Sequence, residues 1–247
     1  MRTAWYMGHR EADVGDRALL VGDPDRIDRI APLLEGARHL PVRRGLRTIT
    51  GGYRGACVTV AAFGMGAPIA TVVLHELAHL GVRRLVRIGT AMHFPPASAG
   101  DLLVSKDALP FDGTSPAYGG EPRADAGLVE ALKRAAAARG ATVRAGTFAT
   151  FDAFYRDMFG IDPEGSARAA RVRADLIARG VLASDMETAA LLSAASALGV
   201  ACATICLGTV DALSQEKLAA GPLAAGEATL FVAAIEAIAE DAPLEAT

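Results

Sequence analysis

The sequence ALLVGDPDRIDRI, residues 18–30, joins a short apolar run to a turn and then to a helical pattern. The apolar run predicts a buried strand ending at Gly22, because short apolar segments bounded by turn residues are typical of strands covered on both faces. Asp23 is suited to cap the following helix, and Pro24 to occupy its first position. The stretch therefore predicts a strand, a tight turn and a helix, the unit from which α/β folds are built.

The same alternation of apolar runs and helical patterns continues to the end of the chain. It predicts an α/β protein whose central sheet is mixed, partly parallel, and flanked by helices. Residues 46–63 indicate a hairpin, residues 107–123 a long, loosely ordered connection, and residues 1–247 together a single domain. The other predicted elements are strands at 84–90, 142–150, 181–185 and 201–210, and helices that end at 80 or span 127–139, 187–198 and 224–239.

Composition narrows the range of partners. The chain has 247 residues, is 51% hydrophobic and carries a formal net charge of −3, so it lacks the basic footprint of a nucleic-acid or membrane-surface protein. Its N-terminus has no apolar signal region, and no uninterrupted apolar run reaches the ~18 residues typical of a membrane span. The three cysteines, Cys57, Cys202 and Cys206, lie in apolar, strand-like runs, as buried thiols do. We therefore expect a cytoplasmic protein without nucleic-acid or membrane partners.

One short motif suggests a metal. His75, Glu76 and His79 form the H-E-x-x-H pattern, in which two histidines bind zinc and the glutamate acts as a base. A catalytic zinc site needs a third protein ligand, and the histidines at 9, 39 and 93 have no recognisable metal spacing. The pentapeptide is also surrounded by apolar residues, which is typical of a packed helix. We therefore predict no metal.

Two arginines are candidates for anion binding. Gly22 and Arg26 lie where the first strand turns into a helix, a place where backbone N–H groups and an arginine can hold phosphate. The same residues can also form an ordinary structural turn that binds no ligand. Arg87 lies in an otherwise apolar strand and needs an anionic partner, because an unpaired interior charge is costly. That partner can be a ligand or an internal carboxylate.

Carboxylates end two other strands. Asp185 and Glu187 lie where a strand becomes a helix, the usual ligand-binding edge of an open α/β sheet. Glu187 can instead simply favour the first helical turn. Asp211 follows the strand at 201–210, where it is suited either to donate a proton or to cap a turn.

Together these stretches resemble the nucleoside phosphorylase family, which includes hexameric purine nucleoside phosphorylases and uridine phosphorylases. The resemblance covers nearly the whole chain, in family order, through VGDPDRIDRIAPLL, RGLRTITGGYRG, FGMGAP, VLHELAHLGVRRLVRIGT, FDAFY, SDMETAALLSAASALG and TICLGTVD. In such proteins the helix holding LHELAHLG covers the sheet and binds no metal. The resemblance implies cleavage of an N-glycosidic bond by inorganic phosphate, the co-substrate, to give a free base and (deoxy)ribose 1-phosphate. It implies no cofactor.

The resemblance also assigns roles to single residues. Such a site must place an anion beneath an oxocarbenium-like sugar and stabilise the departing base. The positions that match the family's phosphate site are Gly22, Arg26, Arg87 and Thr90, with Arg44 reaching into the neighbouring subunit's site. Those that match its ribose site are Met186 and Glu187, with Tyr6 (by sequence order) or His9 crossing from the neighbouring subunit. Those at the base are Phe154, Met92, Asp185 and Asp211, and the two catalytic matches are Asp211, as the acid that protonates a leaving purine, and Arg87.

The sequence departs from the family at several positions near the base. Asp185 replaces a usual glutamate, and Met92 replaces a usual glycine. The glutamine and arginine that mark uridine recognition are absent after Tyr155, so the resemblance favours a purine over uridine. No arginine that would assist Asp211 is evident downstream. The alternatives are a phosphate-independent nucleosidase and a catalytically silent nucleoside-binding relative. The resemblance further implies a homo-oligomer with shared sites, either a dimer or a hexamer formed as a trimer of dimers.

Overall fold

A computed structural model describes residues 2–240 of the chain. This part holds nine strands in one mixed sheet and seven α-helices, which confirms the predicted α/β class. The strands are β1 (Arg17–Val21), β2 (Glu35–His39), β3 (Thr48–Tyr53), β4 (Ala56–Ala62), β5 (Arg84–His93), β6 (Leu102–Phe111), β7 (Val143–Phe151), β8 (Ala183–Asp185) and β9 (Ala201–Asp211). The helices are α1 (Arg26–Ile30), α2 (Ala67–Leu80), α3 (Ser115–Tyr118), α4 (Ala126–Ala138), α5 (Pro163–Ala178), α6 (Thr188–Leu198) and α7 (Ala220–Ala239).

Strand β5 is the centre of the sheet. It runs parallel to β1 and to β9, and near its end it also pairs with β8. Strand β9 pairs in addition with β6, so β5, β8, β7, β6 and β9 close on themselves. Because β1, β5 and β9 are parallel, their carboxyl ends meet at one edge, where α/β sheets usually bind ligands.

The turn after β1 differs in detail from its prediction. Strand β1 is buried along its whole length, between α2 and α7. The helix begins at Arg26 rather than at Pro24. Asp23 accepts a hydrogen bond from the N–H of Asp25 (2.9 Å), and its carbonyl accepts one from Arg26 (3.2 Å). Asp23 therefore closes a turn that precedes the helix instead of capping the helix itself.

The predicted loose connection at 107–123 is wrong. Strand β6 continues to Phe111, and α3 follows at Ser115–Tyr118. A register shift between Ser105 and Asp107 interrupts the alternation of inward and outward side chains along β6. Such a bulge hides a strand from its sequence pattern, while pairing with β7 supplies the backbone hydrogen bonds. The edge strand β2 was not predicted either, because its residues are mostly polar and exposed.

Helix α7 is the longest helix of the described part. By length and composition alone it is apolar enough to cross a membrane, with a mean hydropathy of 1.5. Polar residues interrupt its sequence, so it does not contain the uninterrupted apolar run that is typical of a membrane span. It packs against α4 and against β1, β4, β5 and β9, and it carries a buried glutamate, Glu227. These contacts are those of a core helix.

The cysteines differ in exposure. Cys202 and Cys206 in β9 are buried, as predicted, whereas Cys57 is exposed. Cys57 is the second residue of β4, beside the β3–β4 turn, and this end of the hairpin projects beyond the core. The prediction that Cys57 is buried is therefore wrong, because β4 becomes buried only after its first two residues.

One of the H-E-x-x-H residues of helix α2, Glu76, holds the N-terminal segment. The Glu76 carboxylate accepts backbone N–H bonds from Tyr6 (2.5 Å) and Met7 (2.8 Å). His75 lies 3.4 Å from the hydroxyl of Tyr118, and both His75 and His79 are exposed. Within residues 2–240 no group of three or more His, Cys, Asp or Glu residues is placed to hold a metal ion.

Candidate active site

A cavity of about 600 Å³ opens at the carboxyl ends of β1, β5 and β9. This volume lies in the range of small-molecule sites, ~300–1,000 Å³. Nine of the twelve site residues predicted from the sequence line it: Gly22, Arg26, Arg87, Thr90, Met92, Phe154, Asp185, Met186 and Glu187. The other three, Tyr6, Arg44 and Asp211, lie outside the lining.

Two glycines shape the floor of the cavity. A side-chain carbon at Gly22 would lie 3.0 Å from the carbonyl oxygen of Gly64, so the turns after β1 and β4 approach closely only because Gly22 has none. A side-chain carbon at Gly89 would lie 3.0 Å from the Arg87 guanidinium. Gly89 therefore leaves the space in which that guanidinium lies.

Arg87 is a buried cation held by three groups. Its guanidinium donates to Asp185 (2.8 Å), to Glu187 (2.5 Å) and to the Cys206 sulfur (2.9 Å). Burial alone would lower the pKa of Arg87, but the opposite charges of Asp185 and Glu187, with the hydrogen bond to Cys206, outweigh it and raise that pKa. Burial raises the pKa of Cys206 to about 12, so this sulfur is a neutral thiol. The anionic partner that the sequence required is thus a pair of internal carboxylates.

Asp185 holds the junction between β8 and α6. Besides Arg87, its carboxylate accepts hydrogen bonds from the hydroxyl and N–H of Thr188, from the Thr150 hydroxyl (2.8 Å) and from the N–H of Glu187 (3.3 Å). Both oxygens are therefore engaged within the protein. This geometry fits a residue that orients Arg87 better than one that contacts the base.

Glu187 links the same junction to the start of α2. One carboxylate oxygen accepts from Arg87, and the other accepts from the N–H of Gly66 (2.7 Å), the residue that precedes α2. Glu187 is buried, and its neighbour Met186 is partly exposed to the cavity. The two predicted ribose contacts therefore lie side by side next to Arg87.

Arg26 is held by a residue that sequence reasoning missed. Its Nε and Nη2 atoms donate to one oxygen of Glu227 (3.0 and 2.8 Å), and Arg29 donates to the other oxygen (2.7 Å). Glu227 is 6% exposed and belongs to the core helix α7. The available signal was a carboxylate among the mostly apolar residues of this helix, because a buried carboxylate needs a cationic partner.

The opposite side of the cavity is largely apolar. Phe154 stacks on Phe159 with ring centroids 5.6 Å apart, at either end of the π-helical turn Tyr155–Phe159. The apolar side chains that join Phe154 in the lining are Met92, Phe151, Met158 and Val210. Thr209 and Lys217 add a hydroxyl and an ammonium group, and neither was predicted from the sequence.

Asp211 lies beside the cavity and caps a turn. A bulge in β9 at Thr209 lets both Thr209 and Val210 line the cavity, which moves Asp211 out of the lining. The Asp211 carboxylate accepts N–H bonds from Leu213 (2.7 Å) and Ser214 (2.8 Å) and lies 4.0 Å from His93 Nδ1. The N–H of Ser214 is the main cause that holds the pKa of Asp211 below its usual value. The geometry favours the turn cap, and the role as acid stays a prediction.

Tyr6 and Arg44 lie together on the surface. The Arg44 guanidinium sits 4.8 Å above the Tyr6 ring, and both side chains are exposed. His9, the other candidate for a crossing residue, is only 2% exposed, so its ring is not displayed to a neighbouring subunit. The structure thus presents as a single patch the two residues that the resemblance assigns to a neighbour's site.

Comparisons with known proteins agree with this architecture. The family model described as "Phosphorylase superfamily" matches residues 16–237. The chain is 30% identical to a uridine phosphorylase of Thermococcus kodakarensis over 93% of this chain and 86% of the relative. It is 34% identical to a DeoD-type purine nucleoside phosphorylase of Caldanaerobacter subterraneus subsp. tengcongensis, over 86% of this chain and 92% of the relative.

A solved structure shares the whole fold. The crystal structure of uridine phosphorylase from Vibrio fischeri ES114, complexed with 6-hydroxy-1-naphthoic acid, superposes with a TM-score of 0.83 and 25% identity. The similarity covers 96% of this chain and 95% of that one. With the family match, these likenesses show that the chain is an enzyme of the phosphorylase superfamily and belongs to its nucleoside phosphorylase family.

Proposed function

We propose that the chain cleaves purine nucleosides with inorganic phosphate, giving a free base and (deoxy)ribose 1-phosphate. The observation that carries the proposal is one cavity lined by Arg26, Arg87 and Thr90 and, beside them, by Met186 and Glu187. The first group suits a phosphate and the second a sugar. The names of the relatives include both uridine and purine nucleoside phosphorylases. They support phosphorolysis, and the preference for a purine rests on the residues of the site.

Phosphate fits the cavity better than water as the attacking group. Two arginines and the turn at Gly22 line one end, and a nucleosidase that uses water has no need of two guanidinium groups there. Carboxylates hold both guanidinium groups, but Arg87 Nε has no hydrogen-bond partner among residues 2–240. A buried N–H without a partner is costly, so a bound oxyanion that reaches it gains affinity.

The residues suggest how the bond is broken. A phosphate oxygen attacks C1′ of the sugar and forms the new C–O bond while the C–N bond to the base breaks. The electron pair of that bond passes to the base nitrogen. In the proposed reaction Glu187 accepts a hydrogen bond from a ribose hydroxyl, and Arg87 and Arg26 hold the phosphate against the developing positive charge of the sugar. Phe154 and Met92 pack on the base.

The base region supports a purine. Its lining is dominated by large apolar side chains, including Met92, Phe154 and Met158, which suit the larger face of a two-ring base. No Asn or Gln side chain lines the cavity formed by residues 2–240, so the amide-type contacts that would pair with both a carbonyl and an N–H of uracil are not supplied. Met92 therefore becomes a packing surface in this proposal.

The proposal includes a homo-oligomer in which neighbouring subunits share sites. Tyr6 and Arg44 are exposed together outside the cavity of their own chain, as the resemblance requires of residues that serve a neighbour. Arg44 of the partner subunit would complete the phosphate site, and Tyr6 of the partner subunit would contact the ribose. A dimer satisfies this need, and so does a hexamer formed as a trimer of dimers.

The proposal also covers residues 1–247 as one domain in the cytoplasm. One sheet connects the elements of the described part from β1 to β9. All three cysteines are free thiols, which is typical of a reducing compartment.

Phosphate dependence is the test of this function. The purified protein is incubated with inosine, adenosine or uridine, with and without phosphate, and the released base and sugar phosphate are quantified. We expect base release only with phosphate, and faster release from a purine nucleoside than from uridine. Release that is unchanged without phosphate would identify a nucleosidase, and no release from any nucleoside would identify a silent relative. Preferred cleavage of uridine would overturn the purine assignment alone.

A further inference from the structure

Lys217 is held at the apolar side of the cavity by its backbone. After Asp211 the chain makes a loop and returns alongside β9, where Lys217 forms a bridge with Val210. The N–H of Leu218 donates to the carbonyl of Thr209 (2.8 Å), and the N–H of Asp211 donates to the carbonyl of Glu216 (3.0 Å). These bonds on either side of Lys217 fix it at the cavity wall, across β5 from the phosphate end at β1.

Lys217 differs from the other charged residues of the cavity in having no internal partner. Arg26 and Arg87 are paired with carboxylates, Asp185 and Glu187 are the partners of Arg87, and Asp23 accepts an N–H bond from its own turn. Lys217 forms no ion pair and no side-chain hydrogen bond with any of residues 2–240. Lys217 is solvent-exposed where it lines the cavity, so its charge is open to a ligand.

The chemistry of the leaving base asks for such a group. When the C–N bond breaks, negative charge spreads over the base and, in an oxopurine, reaches the carbonyl oxygen. An ammonium group has three N–H donors and no acceptor, so it can bind that oxygen and favours it as its charge grows. The amino group of adenine is itself a donor and offers no acceptor at the corresponding position.

We propose that Lys217 is the residue that recognises the base, donating a hydrogen bond to the carbonyl oxygen of an oxopurine and stabilising its departure. The proposal rests on the proposed phosphorolysis of nucleosides and deepens it by naming the substrate class, 6-oxopurine nucleosides in preference to 6-aminopurine nucleosides. In this arrangement Asp211 is a positioning residue, because its capped turn begins the loop that returns Lys217 to the cavity.

The test compares Lys217→Met and Lys217→Arg with the wild type on inosine and adenosine at saturating phosphate. Methionine keeps the length of the side chain without the charge, so kcat/KM for inosine is expected to fall by ~10-fold or more, as for loss of a charge-assisted hydrogen bond, while that for adenosine changes by less than ~3-fold. Arginine is expected to restore part of the activity on inosine. Lys106→Met is the matched control, since Lys106 is exposed on β6 and does not line the cavity.

A second measurement separates this inference from the proposed function. Binding of free hypoxanthine and of free adenine to wild type and Lys217→Met is measured by calorimetry, with no turnover required. Selective weakening of hypoxanthine supports the inference even if the wild type releases no base from any nucleoside. Equal losses on inosine and adenosine, an unchanged inosine rate in Lys217→Met, or wild-type binding of neither base would overturn it.

Discussion

Arg87 shows how internal carboxylates keep a charge inside the sheet. Removing a guanidinium from water costs several kcal/mol, and the cost is offset only by well-placed partners. Asp185 and Glu187 supply opposite charge at 2.8 and 2.5 Å, and Cys206 fills the remaining space as a neutral thiol. The arginine is thereby held in one orientation, so the proposed binding of phosphate requires little further ordering of this side chain.

Asp185→Asn should destabilise the protein more than a surface carboxylate change does. The amide removes the negative charge and directs either an oxygen or an N–H at Arg87, while Thr150 and Thr188 lose a carboxylate acceptor. Breaking a buried pair typically costs ~3–5 kcal/mol, and because Glu187 remains, we expect about 3 kcal/mol in urea unfolding. Asp175→Asn, on the exposed face of α5, is the control. A loss below ~1 kcal/mol, the range of surface pairs, would show that Asp185 does not carry the charge of Arg87.

Asp211 can be tested with two substitutions that separate capping from acid catalysis. Asparagine retains an oxygen that can accept the N–H bonds of Leu213 and Ser214, whereas alanine loses both. We expect Asp211→Asn to keep most of the kcat on inosine and Asp211→Ala to lose at least ~10-fold because the Lys217 loop is released. A fall of ~10²-fold or more in kcat for Asp211→Asn, with KM unchanged, would instead establish Asp211 as the general acid.

The residues that sequence reasoning found and those it missed differ in where they lie along the chain. Gly22 follows β1, Arg87 lies within β5 beside the last residues of β1, and Glu187 follows β8, which pairs antiparallel with β5. Each therefore lies in or next to a buried strand that the apolar pattern of the sequence predicts. Glu227 reaches Arg26 across 201 positions of sequence, from a helix whose rotation no local pattern specifies. Lys217 depends on a bulge and a loop, which are set by tertiary contacts.

Helix α7 is fastened at its end by one carboxylate. Glu236 pairs with Arg139, just after α4 (2.6 Å), and with Arg54 in the β3–β4 turn (2.9 Å), and it accepts a longer bond from Tyr53 (3.4 Å). The hydrogen bond from Arg139 is the main cause that lowers the pKa of Glu236 below its ordinary value of 4.5. A lowered folded-state pKa means that the carboxylate stabilises the fold above pH 4.5 and loses this effect as the pH falls through the lower value.

Glu236→Gln should therefore reduce stability in a pH-dependent way. At pH 7 we expect the free energy of unfolding to fall by about 1 kcal/mol, since the arginine partners are partly exposed. Between pH 7 and 5 the difference from wild type should stay constant, and it should shrink as the pH is lowered below ~4. Thermal unfolding of the variant and the wild type across this pH range measures the difference in stability. Glu121→Gln is the control, because Glu121 forms only an exposed 3.9 Å pair with Arg123. A difference that is the same at pH 3 and pH 7 would mean that packing, not charge, is the cause.

Element prediction succeeded where periodicity and burial coincide and failed where they do not. The helices α2, α6 and α7 and the strands β1, β5 and β9 form the core and carry clear apolar patterns. Strand β6 is bulged and partly exposed, and β2 is an edge strand of mostly polar residues. Each is a strand because it pairs with a neighbouring strand, and this pairing cannot be read from the local sequence pattern. In α2, Glu76 of the H-E-x-x-H pattern binds the N-terminal backbone, and both histidines are exposed.

The patch formed by Tyr6 and Arg44 is the part of the surface on which the proposed oligomer depends. Arg44 has a positive φ of +53°, a conformation that costs a non-glycine residue free energy. Such strain is concentrated at functional sites, and here glycine would be the unstrained residue. An arginine at this position is therefore better explained by the proposed contact with a neighbouring subunit's phosphate site than by the stability of its own turn.

Arg44→Gly removes the guanidinium while relieving the strain, so it separates function from folding. We expect the variant to be at least as stable as the wild type and to form the same oligomer. Its KM for phosphate should rise by ~10-fold or more, as expected for loss of a charge-assisted bond, with little change in the KM for the nucleoside. Arg123→Ala, at a highly exposed position away from the patch, is the control. An unchanged phosphate KM would remove Arg44 from the phosphate site.

Mixed oligomers decide whether Arg44 serves its own site or a neighbour's. Arg44→Gly is combined with Glu187→Ala, which lacks the carboxylate that binds Arg87 and faces the cavity. If sites are shared, an Arg44→Gly subunit beside a Glu187→Ala subunit has its own Glu187 and receives Arg44 from the partner, so one site of that pair is complete. The assay uses phosphate well below the KM of Arg44→Gly, where that variant alone turns over slowly. Unfolding and reassembling the two variants in equal amounts should then restore about a quarter of the wild-type sites, because about half of randomly formed pairs are mixed and each gains one site. If Arg44 instead acts within its own chain, every subunit carries one defect and mixing restores nothing.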